Sequence, residues 1–217
     1  HESEAPLDLR YKSNLFQCVF LESEIRQTGR ITALRIFKRF GYSSVTRTIK
    51  IWLGHTDQSE LTDGFISPHL QSLVFDGSVT ISTGFGMMGA TLHTPFDYQG
   101  GNLVMTILMP WADVPLQNSN VFEGLVNPGI RYRQARSSTQ AINPYDPPQT
   151  SYSGGFVPLT NFGFSAYLPD AVAVITPTDH AFGRIVQGNN PSQSFSIMNQ
   201  GQAALDISDI QIIGSPA

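Results

Sequence analysis

Between Asn14 and Pro110 the chain is a succession of short runs rich in β-branched and aromatic residues. They are NLFQCVF (Asn14–Phe20), ITALRIFKRF (Ile31–Phe40), RTIKIWLG (Arg47–Gly54), SLVFDGSVTI (Ser72–Ile81), MGATLHTPFDY (Met88–Tyr98) and NLVMTILMP (Asn102–Pro110). Such runs, spaced by turn signals, are the mark of strands. In ITALRIFKRF both alternating sets carry apolar side chains, as expected of a strand inside a sandwich. Asp76-Gly77 predicts a turn or bulge, and Gly100-Gly101 predicts a hairpin. The single helical turn expected lies near Thr56–Leu61. The fold class is therefore all-β, a jelly-roll-like β-sandwich.

Composition narrows the function classes. Charged residues are 14% of 217, and the net charge is −4, so the basic surface that a nucleic-acid partner needs is missing. Nine of the thirteen Lys and Arg fall between Arg10 and Lys50, where they alternate with apolar residues as on the wet face of strands. Cys18 is the only cysteine, which rules out an intrachain disulfide; its neighbours Phe16, Val19 and Phe20 mark it as a buried small hydrophobe. No apolar run reaches the length of a membrane-spanning helix. The opening HESEAP, without a Met, reads as a mature start after signal-peptide removal, so an extracellular or cell-surface location is expected.

Between Trp111 and Tyr152 the strand pattern weakens, and Pro, Asn, Ser and Gln accumulate around one short strand, GIRYRQA. The region is expected to be a long surface loop. Trp111, Tyr132, Tyr145 and Tyr152 are its candidate ligand-facing aromatics. Rings of this kind stack on sugars or anchor a protein interface, and equally they pin a loop to its domain.

Motifs for catalysis are weak. GFGMMG (Gly84–Gly89) fits G-x-G-x-x-G, but a strand pattern follows it where a phosphate site needs a helix, so a glycine-rich turn is expected. HTDQSELTD places Asp57, Glu60 and Asp63 in one loop, a set that would hold Ca²⁺ only weakly; otherwise no cofactor is expected. The five histidines form no metal-ligand pair, and no G-x-S-x-G elbow is present. The chain is expected not to be an enzyme.

The succession LESEI, GRITALRIF, RTIKIWLGHT, LVFDGSVTI and ATLHTPFDYQGGNLVMTI, followed by IRYRQARSSTQAINPYDPPQT, resembles a module of secreted proteins from Bacteroidetes and Cloacimonetes-type bacteria. The likeness runs from about Leu15 to Ala166. It implies a jelly-roll adhesin or carbohydrate-binding sandwich and carries over no catalytic residue. The acidic stretch that follows NLVMTI in the module is replaced here by LMPWADVP, so no ligand site built on those acids is carried over. From Pro169 onward, FGRIVQG and FSIMNQGQAALDISDI resemble immunoglobulin-like repeats of the abnormal-spindle and choice-of-anchor type, with Phe182, Gly183, Gly188, Phe195, Ile197, Asn199, Gly201, Leu205, Ile207 and Ile210 in place. This resemblance implies a spacer architecture and no chemistry.

The expected organisation is an N-terminal extended arm (1–13), a sandwich (14–168) and a partial immunoglobulin-like unit (169–217). Three strands of that last unit are expected, at 171–186, 192–198 and 203–213, and a full domain needs several more. The half-domain would expose Phe182, Phe195, Ile197, Leu205 and Ile207. A lost segment, the first domain or another subunit are the alternative covers. In the arm, Ala5, Leu7, Leu9 and Tyr11 alternate with Pro6, Asp8 and Arg10, the pattern of a donor strand. The function expected is an extracellular structural protein that joins copies of itself head-to-tail into a filament or surface layer. The alternative is an adhesin or carbohydrate-binding module of a larger secreted protein, with glycans or host or cell-surface material as partner.

Overall fold

The protein is described by a computed structural model covering residues 1–41, 43–113, 121–148, 152–165, 171–201 and 203–210. It divides into two compact units, His1–Ala166 and Tyr167–Ala217. The expected boundary at 168/169 lies outside the described residues.

Unit 1 contains β1 (Glu2–Ser3), β2 (Ser13–Phe20), α1 (Glu22–Ile25), β3 (Gly29–Phe40), β4 (Val45–Thr56), β5 (Ser72–Ile81), β6 (Gly84–Tyr98), β7 (Asn102–Met109), β8 (Val121–Val126), β9 (Tyr132–Ser137), β10 (Tyr152–Gly154), β11 (Phe156–Pro158) and β12 (Thr160–Ser165). Two six-stranded antiparallel sheets form a sandwich. In the first, β6 lines one side of β3, while β12 and β8 share the other side; β8 also pairs β1 and β11. In the second the order is β10-β9-β2-β7-β4-β5. The all-β expectation holds. Among the described residues the α-helical turn is α1 rather than 56–61; the Glu24 carboxylate accepts from the Leu21 N–H at 2.8 Å and caps it. A 3-10 turn follows at Pro68–Leu70. GFGMMG is strand, not turn: it is the start of β6, paired with Arg35–Phe40 of β3.

The core is filled from both sheets. Phe16, Cys18 and Phe20 of β2, Ile49, Ile51 and Leu53 of β4, and Leu103, Met105 and Ile107 of β7 face Ile31, Leu34, Ile36 and Phe40 of β3. Burial in that apolar setting raises the Cys18 thiol well above its ordinary value. The mixed apolar pattern of β3 has a local cause. A bulge between Ile31 and Ala33 changes which set of side chains points inward: Ile31 before it, Leu34, Ile36, Lys38 and Phe40 after it. The same bulge carries Lys38 to a buried position, where its Nζ donates to the carbonyls of Ser82 and, at 2.9 Å, Gly84. Desolvation lowers its pKa.

β2 is buried on both faces because loops cover the outer side of the second sheet. Phe65 and Ile142 pack there on Leu15, Trp52 and Leu108. Gln17 fixes that cover, donating to the Ile66 carbonyl at 2.8 Å and accepting from the Ile66 N–H at 2.7 Å.

The segment expected as a free arm is instead built into unit 1. Only Glu2–Ser3 is strand; residues 4–12 run through turns, bends and irregular backbone. Ala5, Leu7 and Leu9 are fully buried in the core. Asp8, also buried, accepts from the Arg10 guanidinium at 2.9 Å and from Arg136. Asn14 ties the segment down, donating to the Pro6 carbonyl at 3.0 Å and accepting from Gln134 Nε2 at 2.7 Å. The alternation of apolar residues is real, but it meets turn backbone, with Pro6 in a cis peptide.

Unit 2 contains β13 (Ala173–Thr176) and β14 (Ser196–Asn199), paired antiparallel. Residues 203–210, expected as a third strand, carry no strand assignment, and 211–213 lie outside the described residues. Asn199 organises the turn after β14: its Oδ1 accepts from the Gly201 N–H at 2.9 Å and its Nδ2 donates to the Ala203 carbonyl at 2.7 Å. That is a physical role for the N-x-G pair of the motif. Ile175 and Ile197 pair on one face, Val174 and Met198 on the other.

Candidate functional site

The four aromatics singled out in sequence do not form one platform. Tyr132 turns toward the core, stacked 5.9 Å from Phe16 and edge-on at 6.1 Å to Phe156. Burial raises its pKa. Tyr145 lies on the outer face of the second sheet against Trp52 and, at 4.5 Å, His69. Tyr152 lies 3.7 Å from the Arg136 guanidinium, which also faces Tyr11 at 5.4 Å. Trp111 is covered by Lys12 Nζ at 5.0 Å. Each ring fastens a different part of unit 1, although Trp111, Tyr145 and Tyr152 keep exposed edges.

The acidic loop is likewise dispersed. Glu60 accepts from the Ile130 N–H at 3.2 Å, closing the loop onto the 129–131 turn. Asp57, Glu60 and Asp63 are not gathered: no group of three or more His, Cys, Asp or Glu able to hold a metal occurs among the described residues. Each of the five histidines lies against an aromatic ring.

A cleft of about 320 Å³ opens elsewhere, where the end of β2 meets α1, β8, β11 and β12. Its aromatic wall is Phe20, Phe162 and Phe164. Phe162 stands edge-on to Phe20 at 5.1 Å, with Phe164 6.4 Å further along β12. β12 ends the path of its sheet, so one side of this strand has no ladder partner among the described residues. The opposite wall is α1 and its exit, with Glu24, Ile25 and Gln27. Asn127 and Asn161 add amides from the β8 and β12 sides.

Buried Arg131 fixes the α1 wall. Its guanidinium donates to both carboxylate oxygens of Glu24, at 3.1 and 2.7 Å, and to the Val19 carbonyl at 2.8 Å. A two-point pair of this kind sets orientation as well as position. The Asn127 side is fixed by backbone. Its N–H donates to the Gly155 carbonyl at 2.9 Å, and a Cβ on Gly155 would lie 1.7 Å from the Asn127 carbonyl oxygen, so glycine is required there. Asn127 Nδ2 is shielded from solvent and donates to no acceptor among the described residues.

Sequence reasoning passed over this site. In the sequence, Glu24 stands out only within the LESEI element, and Phe162 and Phe164 carry no motif. No family model matches the chain, and neither a curated protein nor a solved structure matches it.

Proposed function

We propose that the chain is a non-catalytic recognition module of an extracellular or cell-surface protein, with unit 1 as the binding body and unit 2 as an immunoglobulin-like spacer. The observation that carries this reading is the cleft on unit 1, whose walls are held by the pairing of buried Arg131 with Glu24 and by close backbone packing. Rigid walls lower the ordering cost of binding. A binding role is favoured over hydrolysis because Glu24, the one carboxylate lining the cleft among the described residues, is engaged by Arg131 through both oxygens. The test is retention of the whole chain on insoluble polysaccharides and cell-surface preparations. Retention without release of sugar reducing ends is expected. Passage through every matrix overturns the reading, and steady release of reducing ends replaces it with a hydrolase.

Unit 2 favours a second reading, assembly with copies of itself. Its hairpin is apolar on both faces, and Ile175, Ile197, Met198, Phe182 and Phe195 are exposed. A lone two-stranded hairpin is marginal in water, and open edges invite added strands. Strand addition at both edges would propagate into a filament. The donor in this reading is the hairpin of another copy rather than Ala5–Tyr11. Extracting Leu7 and Leu9 from the core would cost roughly 1.5–3 kcal/mol for each leucine.

A further inference from the structure

We propose that the Phe162–Phe164 cleft binds a neutral sugar, a terminal or internal hexose of an uncharged glycan; this rests on the recognition reading above. The argument starts from charge. Among the described residues Glu24 is the one ionisable side chain lining the cleft, and Arg131 pairs with it. A ligand of either sign would meet no unpaired counter-charge there, so the complementary ligand is uncharged.

The second step is hydrogen-bond chemistry. Gln27, Asn127 and Asn161 each bring a side-chain amide, which donates through nitrogen and accepts through oxygen. A sugar hydroxyl also does both, so amides and hydroxyls pair without proton transfer. The third step is the aromatic wall. The C–H face of a pyranose is apolar and flat, and half-buried Phe162 and Phe164 offer rings to such a face. A volume of about 320 Å³ lies at the small end of ligand pockets, the scale of one or two sugar rings.

The test is a titration of the whole ¹⁵N-labelled chain with uncharged gluco-, galacto-, manno- and N-acetylglucosamine disaccharides, followed by amide NMR. Saturable shifts are expected at Gln27, Asn127 and Asn161, including their side-chain NH₂ signals. Asn161→Ala and Gln27→Ala remove exposed side chains and should each weaken binding about fivefold, the worth of one hydrogen bond. Trp111→Ala, remote from the cleft lining, should leave affinity unchanged. Shifts confined to other surfaces, or affinity indifferent to Asn161→Ala and Gln27→Ala, overturn the inference. An uncharged strand-forming peptide is titrated in parallel. If it shifts the cleft and no sugar does, the sugar inference falls and the recognition reading stands. If the chain is retained on glycan but the cleft amides stay still, the same holds. If nothing is retained and nothing shifts, both fall.

Discussion

Lys38 is a side chain whose burial has a measurable pH signature. The folded protein lowers its pKa by desolvation, while the unfolded chain holds the proton with the ordinary value of 10.5. Between the lowered value and 10.5 the unfolded state binds more protons, so Lys38 makes stability rise with pH across that window. Tyr98 and Tyr132, whose pKa values are raised, act in the opposite sense, losing stability as pH rises through 10. The contribution is therefore isolated by difference. Denaturant unfolding of the wild type and Lys38→Met from neutral pH to 10.5 should show the wild type gaining on the variant throughout the alkaline limb. Parallel curves would mean that the lysine is solvated. No alternation rule foretold an inward lysine, because a single bulge reset the alternation.

At the scale of elements, the N-terminal segment is where sequence and structure diverge most. Its period-two pattern was legible, and its partner was not. A pattern says that one set of side chains is buried, never against what. Here the partners are core residues of unit 1 and the Asp8, Asn14, Gln134 and Arg136 network at its end. Burial raises the Asp8 pKa, and hydrogen bonds from Arg10 and Arg136 more than offset it, leaving the carboxyl below its usual 3.8. A depressed carboxyl stabilises above its unfolded value and loses that contribution as pH falls through the folded one. Asp8→Asn should lower the melting temperature at neutral pH and show less additional loss than the wild type below pH 3.8. An unchanged acid limb would separate Asp8 from acid stability. The strands from β2 to β7 were legible because β-branched residues and Gly100-Gly101 mark them locally, except for the start of β6 at Gly84–Met87, where the glycines read as a turn. β8, β10 and β11 were not, since each is short and gains its identity from a partner distant in sequence. The cleft was illegible for the same reason: Phe20, Glu24, Asn127 and Phe162 become neighbours only when the sandwich closes.

For the whole molecule, the two units differ in how they satisfy their apolar residues. Unit 1 encloses a core shared by two sheets, whereas unit 2 leaves both faces of one hairpin in water. If copies complete one another there, the intact chain should sediment as concentration-dependent oligomers. The double variant Ile175→Lys/Ile197→Lys places two like charges on adjacent strands of one face and should sediment as a monomer, with the melting of unit 1 unchanged. A wild-type chain that stays monomeric at every concentration overturns the assembly reading and leaves unit 2 as a spacer.

The anchoring of the first residues also fixes an order of events in time. Glu2 and Ser3 pair with Glu123 and Phe122, and Asp8 joins Arg136. A chain emerging N-terminus first, from a ribosome or through a pore, presents those residues long before their partners exist. The opening segment must wait, unpaired, until β8 and β9 have emerged. Unit 1 is thus a body whose first-made part is among the last to be seated, and completion of folding is deferred until most of its length has been delivered.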